Sequence, residues 1–374
     1  MTGQFGALLN VPILNGDAEG VRLQVTAPPS LERLARRVDE RLALLFDGEL
    51  TRWSEVDQAL RLPLEDLKDF ALRGGKRLRP AFCYWAFVGV GGDPSDTGVI
   101  DASAALELLH CFALIHDDVM DGSPLRRGEP AIHVKYRDDH RAEDRFGESR
   151  RFGDGVAVLI GDLAFVYADQ LIEAANPTAR SIFTELRLEV NFGQYLDVFG
   201  TSTRSTDPEF ARRISIYKSG KYTVERPLLL GAALAENMEP FASALSTYGM
   251  ALGEAFQLRD DLLGIFGESE ITGKPVGEDI REGKPTLIYA LAHRDATPAQ
   301  RAIIEGSFGV ADASEPAVLA VQEVFAETGA IRTVEARVDC LVEEAISALR
   351  GSALAPEAAL ELERLAYYIG SRRT

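Results

Sequence analysis

The chain has 374 residues, of which 46% are hydrophobic and 26% charged, and its formal net charge is −18. This composition is typical of a globular protein with a sizeable core. The acidic excess argues against sequence-independent binding to nucleic acid and against polybasic attachment to an anionic membrane. Three scattered cysteines are too few for a disulfide framework or a zinc site, so we expect a reducing, cytoplasmic environment.

The N-terminal segment, residues 1–28, has a mildly apolar stretch but neither the basic start nor the long apolar core of a secretory signal. We expect it to be a poorly ordered leader. No run elsewhere approaches the roughly 18 apolar residues of a membrane span, so a soluble protein is predicted. Residues 29–374 are predicted to form one domain.

Apolar residues at helical spacing dominate the rest of the chain, and almost nothing alternates with period two. The predicted fold is therefore all-α, a single large helical bundle. Ser30 is predicted to be the N-cap of the first helix. Further helices are predicted, in chain order, at 99–121, 156–175, 182–199, 209–235 and 241–267, and within 317–349, which divides at Gly329. Breaks rich in Gly, Pro and Asp lie at 89–98, 201–209 and 267–285, and the highly charged segment 137–155 is predicted to be a solvated loop.

The first candidate functional residues stand at the end of the helix predicted at 99–121. Asp117 and Asp121 are four residues apart and project from one helix face, with Asp118 between them in sequence. An acidic helix end facing water is the simpler interpretation, but the residues just before it are nearly all apolar. A carboxylate pair at the mouth of an apolar cluster suits a hard divalent cation, above all Mg²⁺.

A second acidic pair, Asp260 and Asp261, also follows directly after an apolar helical stretch. Two such helices facing each other would form a cavity with carboxylates on both walls. Metal ions held there could bridge to a diphosphate.

Basic residues in glycine-flanked turns are suited to hold that anion, because the backbone can approach a phosphate closely there. Guanidinium groups bind phosphate oxygens bidentately, and clustered cations in a strongly acidic chain favour anion binding over simple solvation. The residues are Lys76, Arg77, Arg79, Arg126, Arg127, Lys218, Lys274 and Lys284. His110 lies two turns before Asp117 on the same helix face. No nucleophile triad, P-loop or dinucleotide-binding glycine motif is present, which argues against an NTPase or a dinucleotide enzyme.

Together these motifs resemble those of the trans-isoprenyl diphosphate synthases, the polyprenyl synthetase family, and look most like those of the bacterial geranylgeranyl diphosphate synthases. The resemblance covers about residues 30–370 and rests on several separated motifs in family order. It implies a helical bundle around a deep central cavity, a homodimer, and isopentenyl and allylic diphosphates as substrates. It also implies three Mg²⁺ ions per active site.

The resemblance implies a role for each matching residue. Asp117, Asp121 and Asp260 match metal ligands, with Asp118 and Asp261 beside them. The residues matching the isopentenyl diphosphate site are Lys76, Arg79, His110 and Arg127. Those matching the allylic diphosphate site are Arg126, Lys218, Gln257, Lys274 and Lys284, and Ser219 stands where many members have Thr. The expected catalytic set is Asp117, Asp121, Arg126, Lys218 and Asp260.

In the implied chemistry, cations stabilise the departing diphosphate and the allylic C–O bond ionises. The isopentenyl double bond attacks the resulting carbocation, and the released diphosphate then takes a proton. Dipoles of the Ser219 hydroxyl and the Gln257 side chain would stabilise the cation. One departure from the family is Gly264, which stands where the second acidic motif usually has a third Asp.

Product length is expected to depend on residues below Asp117. Phe112, five positions before it, matches the aromatic that limits product length in many geranylgeranyl-forming members. Leu109 and the small Ala113 line the expected path of the growing prenyl chain. A twenty-carbon product is predicted, with longer or shorter products as alternatives. A class I terpene cyclase is disfavoured because the isopentenyl-site motifs are retained. A non-catalytic partner subunit is disfavoured because the acidic motifs are nearly intact.

Overall fold

Helices account for nearly all regular structure in the residues that this computed structural model describes, 27–267 and 277–371. In chain order they are α1 Pro29–Val56, a short 3₁₀ helix Gln58–Leu60, α2 Arg61–Leu72, α3 Leu78–Gly89, α4 Gly98–Asp121, α5 Ile132–Ala142, α6 Ser149–Ile172, α7 Pro177–Thr203, α8 Pro208–Ile214, a π-helix Ser215–Glu225, α9 Arg226–Leu234, α10 Ala242–Phe266, α11 Glu278–Glu282, α12 Leu287–Asp295, α13 Pro298–Ser307, α14 Glu315–Glu327, α15 Ala330–Leu349 and α16 Pro356–Ser371. In the described ranges the strands are β1 Leu125–Arg126 and β2 Glu129–Pro130, paired antiparallel. The predicted all-α class is confirmed.

The centre of the bundle is built around α4 and α10. Residues 102–109 of α4 are all buried, and all of them except Ser103 and Glu107 are apolar, so this part of the helix is covered by protein on every side. It packs against α3 and α6, whereas α10 packs against α15 and the π-helix. Fully buried side chains such as Leu106, Phe183 and Tyr248 fill the space between these helices.

Two of these helices are long and apolar enough to cross a membrane by length and composition. α4 and α6 each contain a window with a mean hydropathy of 1.6. In that window 67% of α4 and 44% of α6 is buried inside the bundle, and the two helices pack against each other. No uninterrupted apolar run is as long as a membrane span, as expected, but α4 and α6 reach the mean hydropathy of one.

The C-terminal end of α4 carries the first acidic cluster. The helix stops at Gly122, whose φ of 68° is the left-handed conformation common just after a helix end. Asp117, Asp118 and Asp121 therefore lie at the negative end of the helix dipole, which destabilises them as anions. Their position requires cations from elsewhere in the fold.

Two sequence predictions about local structure are wrong. Ser30 is not an N-cap, since α1 begins at Pro29; its hydroxyl instead donates to the buried Glu361 of α16. Most of 137–155 is helical rather than a loop, because α5 continues to Ala142 and α6 begins at Ser149. Helical spacing buries Tyr136 and His140, and Phe152 packs on both rings. The charged residues occupy the opposite faces.

The remaining predicted boundaries hold in part. The segment 209–235 is helical throughout but divides into α8, the π-helix and α9, and α7 extends to Thr203 into a predicted break. The break at 317–349 falls at Gly329 as predicted, with φ of 79°. Of the predicted break 267–285, residues 268–276 lie outside the described residues and α11 occupies part of the rest. The predicted leader lies almost wholly outside the described residues.

Glycines from two neighbouring helices hold the π-helix in place. A Cβ at Gly193 of α7 would lie 2.5 Å from the Lys218 Cα, and one at Gly253 of α10 would lie 2.5 Å from the Gly220 carbonyl oxygen. Only glycine permits such close backbone approach. Irregular π segments of this kind occur frequently at functional sites.

Candidate active site

Lys218 of the π-helix reaches the first acidic cluster. Its Nζ lies 3.0 Å from Oδ1 of Asp117 and 2.5 Å from Oδ2 of the buried Asp197 on α7. Gln194, one turn before Asp197, donates from Nε2 to the same Asp117 oxygen at 2.9 Å. The π-helix, α4 and α7 thus meet at Asp117.

Gln194 and Asp197 were not found by the sequence analysis. The signal that could have found them is the position of Asp197 on the buried side of α7, seven residues after Val190 and four after Gly193. A carboxylate on an apolar helix face requires a partner when buried.

Arg126 folds back onto the same helix end from the β1–β2 hairpin. Its Nε donates to Oδ1 of Asp118 at 2.8 Å, its Nη2 also contacts that oxygen, and Nη2 lies 3.6 Å from Oδ2 of Asp117. Asp118 is only 1% exposed. The structure therefore gives Asp118 a direct arginine partner beside the other two aspartates.

Lys284 joins the first cluster to the segment that follows α10. Its Nζ lies 3.5 Å from Oδ2 of Asp121, 3.5 Å from Oδ1 of Asp279 and 2.7 Å from Oε2 of Glu282. These carboxylates outweigh burial and raise the pKa of Lys284 well above its usual value. The lysine is therefore a permanent cation between the two acidic groups.

The second acidic pair lies near the end of α10. Asp261 is buried and accepts a hydrogen bond from Gln257 Nε2 at 2.6 Å. Burial raises the pKa of Asp261 to about 7, and repulsion by Asp279 adds to the effect despite the hydrogen bond. Asp260, one position earlier, is half-buried.

The missing third aspartate at Gly264 has a steric explanation. A Cβ built at Gly264 would lie 2.5 Å from Cγ of Asp279, closer than real Cβ atoms approach. The Asp279 carboxylate from α11 thus occupies the space that a side chain at this position would enter. Sequence analysis did not single out Asp279.

The acidic residues of α4 differ in their titration. Burial disfavours the Asp117 anion, yet Lys218, Lys284 and Arg126 together hold its pKa well below the usual range. For Asp121 burial prevails over Lys284, and with repulsion from Asp117 it raises the pKa to about 6. Its Oδ2 is buried and makes no hydrogen bond in the described part of the chain, although Lys284 Nζ lies 3.5 Å away as an ion pair.

These features fit a divalent cation. A buried carboxylate oxygen that makes no hydrogen bond and a raised pKa are conditions that a metal ion would relieve. Among the described residues no three acidic, His or Cys side chains form a ready-made cage. Mg²⁺ does not need one, since it uses one or two carboxylates and completes its shell with water and phosphate oxygens.

The predicted isopentenyl-site residues lie around the start of α3. Arg79 and His110 both contact Tyr222 of the π-helix, and Lys76 is half-buried in the preceding turn. Arg127, with a positive φ of 54°, donates from Nη1 to the carbonyl oxygens of Arg73 and Gly74, each at 3.0 Å. It thereby ties the hairpin to that turn.

Arg77 does not join this group. Its side chain is buried, with Nη1 2.5 Å from Glu107 and Nη2 2.7 Å from Asp39. The structure uses Arg77 to join α1, α3 and α4, which corrects its grouping with the phosphate-binding candidates. Lys274 lies outside the described residues, and Ser219 is half-buried beside Lys218.

The predicted chain-length residues lie along α4. Leu109 is fully buried in the core, and Ala113 is half-buried one turn before Asp117. The Phe112 ring lies against α6, with its centroid 4.9 Å from that of Phe165, and 4.6 Å from the ring of His116 on its own helix. Two surface clefts, of about 280 and 340 Å³, are not lined by any of these site residues.

Two acidic helix segments with lysines and arginines among them, in an all-α bundle, have the side chains suited to bind a diphosphate together with divalent cations. Residues 63–326 match the polyprenyl synthetase family, and the chain belongs to that family. It is an isoprenyl diphosphate synthase, a transferase that forms prenyl diphosphates.

Relatives and solved structures agree with this membership over most of the chain. A geranylgeranyl diphosphate synthase of Methanosarcina mazei is 31% identical, over 88% of this chain and 98% of that protein. A (2E,6E)-farnesyl diphosphate synthase of Mycobacterium bovis is 29% identical, over 92% and 90%. A crystal structure of a Corynebacterium glutamicum geranylgeranyl pyrophosphate synthase, complexed with isoprenyl diphosphate and magnesium, has a TM-score of 0.88 and 35% identity, over 92% of this chain and 99% of that one.

Proposed function

We propose that this protein is a Mg²⁺-dependent prenyltransferase that condenses isopentenyl diphosphate with an allylic diphosphate to form geranylgeranyl diphosphate. The observation that carries the proposal is the convergence of Lys218, Lys284 and Arg126 on the aspartates of α4. The similarity to a geranylgeranyl synthase crystallised with magnesium and isoprenyl diphosphate supports it.

The cations of the site provide binding for the allylic diphosphate. Lys218, Lys284 and Arg126 are each paired with carboxylates, so an incoming diphosphate gains them as donors without moving them far. Asp117, Asp121 and Asp260 would hold Mg²⁺, three ions in all, with Asp118 and Asp261 behind them. When bound, Mg²⁺ supplies Lewis-acid stabilisation of the leaving diphosphate.

Condensation then proceeds by ionisation of the allylic diphosphate, formation of a C–C bond and loss of a proton. The allylic C–O bond breaks with both electrons remaining on the diphosphate, and the isopentenyl double bond forms the new C–C bond. The resulting cation loses a proton to the released diphosphate. In this proposal the dipoles of Ser219 and Gln257 would stabilise the first cation, and apolar walls around the chain would exclude water.

The isopentenyl diphosphate is held by Lys76, Arg79, His110 and Arg127 in this proposal. Burial and the surrounding arginines, Arg79 first among them, lower the pKa of His110 well below its usual value. A neutral imidazole donates a hydrogen bond to phosphate without adding charge beside these arginines.

Product length is proposed to be twenty carbons. The two curated relatives described above carry names for twenty- and fifteen-carbon products at nearly equal identity, so identity does not choose between them. The choice rests on the contact of Phe112 with Phe165, which would block the chain, and on the small Ala113, which would leave it room.

A homodimer in the cytoplasm is proposed as the working form. One face of α7 and the adjoining part of α6 expose large apolar side chains, which is unusual for a monomer. They are Leu159, Val166, Leu188, Phe192, Tyr195 and Phe199. The spacing of the α7 residues places them on one face, and a second copy of the chain would cover it. Sedimentation of the purified protein should give a dimer, and a stable monomer at micromolar concentration would contradict this.

The test of the activity is a product assay on the purified protein. Isopentenyl diphosphate would be supplied with dimethylallyl, geranyl or farnesyl diphosphate, with Mg²⁺ or with EDTA, and the dephosphorylated alcohols resolved by chain length. A Mg²⁺-dependent twenty-carbon alcohol is expected. A different chain length would overturn the product assignment alone, whereas no elongation of any primer would overturn the activity.

A further inference from the structure

Tyr222 lies where the two predicted substrate sites meet. It is in the π-helix, four residues after Lys218, and only 3% exposed. Its ring contacts α3 through Arg79, and its hydroxyl contacts α4 through His110. The sequence analysis took Lys218 from the segment 218–223 and assigned no role to Tyr222.

The ring of Tyr222 fixes the position of Arg79. The guanidinium carbon of Arg79 lies 4.2 Å from the ring centroid, within the range of a cation–π contact. Arg79 Nη2 also donates to Oγ1 of the neighbouring Thr223 at 3.0 Å. The π-helix therefore holds this arginine by a ring face and a hydroxyl.

The hydroxyl of Tyr222 fixes His110. The hydroxyl oxygen lies 3.0 Å from Nδ1 of His110, and the two rings are tilted by 53°. A hydrogen bond at one ring nitrogen of a neutral histidine sets the tautomer and orients the other nitrogen. In this arrangement Nε2 is the nitrogen left for a ligand.

The π-helix that carries Tyr222 cannot shift independently of Lys218. Gly193 and Gly253 bring α7 and α10 against its backbone at Lys218 and Gly220. Arg79 and His110 are thus held at a fixed distance from the lysine that pairs with Asp117.

We propose that Tyr222 is a positioning residue for the second substrate: it holds Arg79 and His110 together so that they bind isopentenyl diphosphate in line with the allylic diphosphate at Lys218. This inference rests on the proposed function. The ring acts on Arg79 and the hydroxyl acts on His110, so the two contributions are separable by substitution.

The experiment compares Tyr222→Phe and Tyr222→Leu with the wild-type protein. Initial rates give KM separately for isopentenyl diphosphate and for farnesyl diphosphate, and calorimetric titration gives the affinity for isopentenyl diphosphate alone. Tyr222→Phe keeps the ring and loses one hydrogen bond, so KM for isopentenyl diphosphate should rise roughly fivefold. Tyr222→Leu also loses the cation–π contact, for a rise of at least on the order of tenfold. KM for farnesyl diphosphate should remain close to wild type.

Tyr84→Phe is the matched control. The Tyr84 ring also lies under an arginine, with the Arg37 guanidinium carbon 5.4 Å from its centroid, and its hydroxyl accepts from Arg37 Nη1 at 3.4 Å. Arg37 also donates to the carbonyl oxygen of Pro94, so this pair joins α1 to the 90–97 loop rather than to the π-helix. Removal of the Tyr84 hydroxyl should leave the KM values for isopentenyl diphosphate and for farnesyl diphosphate unchanged.

The outcomes are distinguishable. A wild-type protein that elongates no primer contradicts the proposed function. A wild type that elongates, with Tyr222→Phe keeping the wild-type KM for isopentenyl diphosphate, contradicts only this inference. An equal rise of both KM values would also overturn it, because that is the effect of general disturbance of the π-helix. If Tyr222→Leu does not fold, Tyr222→Phe decides alone.

Discussion

Gly264 provides the sharpest steric prediction, namely that restoring the third aspartate usual in the second acidic motif destabilises this chain. A Cβ there would lie 2.5 Å from Cγ of Asp279, where real Cβ contacts are at least 3.0 Å. Overpacking of this kind costs about 1–3 kcal/mol. A second carboxylate about 4 Å from the first adds repulsion of ~4 kcal/mol at an effective dielectric constant of 20. Allowing for relaxation, Gly264→Asp should lower the free energy of unfolding by on the order of 3 kcal/mol.

Chemical denaturation in EDTA measures this change, with Gly264→Ala and the double variant Gly264→Asp/Asp279→Gly for comparison. Gly264→Ala should lose less, because it adds the clash without the charge. The double variant should regain most of the loss, since it moves the carboxylate from one side chain to the other. Wild-type stability of Gly264→Asp, or a double variant no better than the single one, would refute the steric explanation.

Three further substitutions test the acidic cluster of α4 and the role of Phe112 in limiting product length. Asp117→Ala should abolish turnover and leave the circular dichroism spectrum unchanged; a near-normal rate would remove Asp117 from the metal site. Phe112→Ala should lengthen the product, because it removes the contact with Phe165. Chromatography of the dephosphorylated alcohols should then show chains beyond twenty carbons. An unchanged product would mean that other residues limit chain length. Because the pKa of Asp121 is raised to about 6, its proton is bound more tightly in the folded protein, and the associated stability is lost as pH rises through about 6. In EDTA, the free energy of unfolding of Asp121→Asn should therefore equal that of the wild type below about pH 4 and exceed it by about 2 kcal/mol at pH 8. Equal free energies of unfolding for the two proteins at both pH values would contradict the burial of this charge.

The acidic and basic motifs could be predicted from sequence because their signals are local. Asp117 and Asp121 share a helix face by spacing alone, and the apolar residues before them predict where that helix is buried. The same local reasoning places Asp260 and Asp261 near the end of α10, where the structure has them.

The partners of these residues could not be predicted, because they come from distant parts of the chain. Lys218 reaches Asp117 across 101 residues and Gln194 reaches it across 77. Helix-to-helix packing sets these pairs, and spacing within one helix says nothing about it. The same limit explains Asp279, whose carboxylate meets Gly264 only through the fold after α10.

Local sequence context gives the wrong prediction in two places. The charge density of 137–155 suggested a loop, but charged residues on one helix face leave Tyr136 and His140 buried on the other. Arg77 was grouped with the phosphate-binding residues because of its neighbours in sequence. Its side chain instead pairs with Glu107 and Asp39 and is buried, contacts that come from distant parts of the chain and that its sequence neighbours do not reveal.

The most direct test of the central claim is the incorporation of labelled isopentenyl diphosphate by the wild-type protein with farnesyl diphosphate as the only primer. With Mg²⁺ present, we predict that label appears in a product one isoprene unit longer than the primer, and that EDTA abolishes it. No labelled prenyl product with Mg²⁺, or undiminished product in EDTA, would contradict the proposal that the aspartates of α4 and α10 hold a metal-bound diphosphate for prenyl transfer.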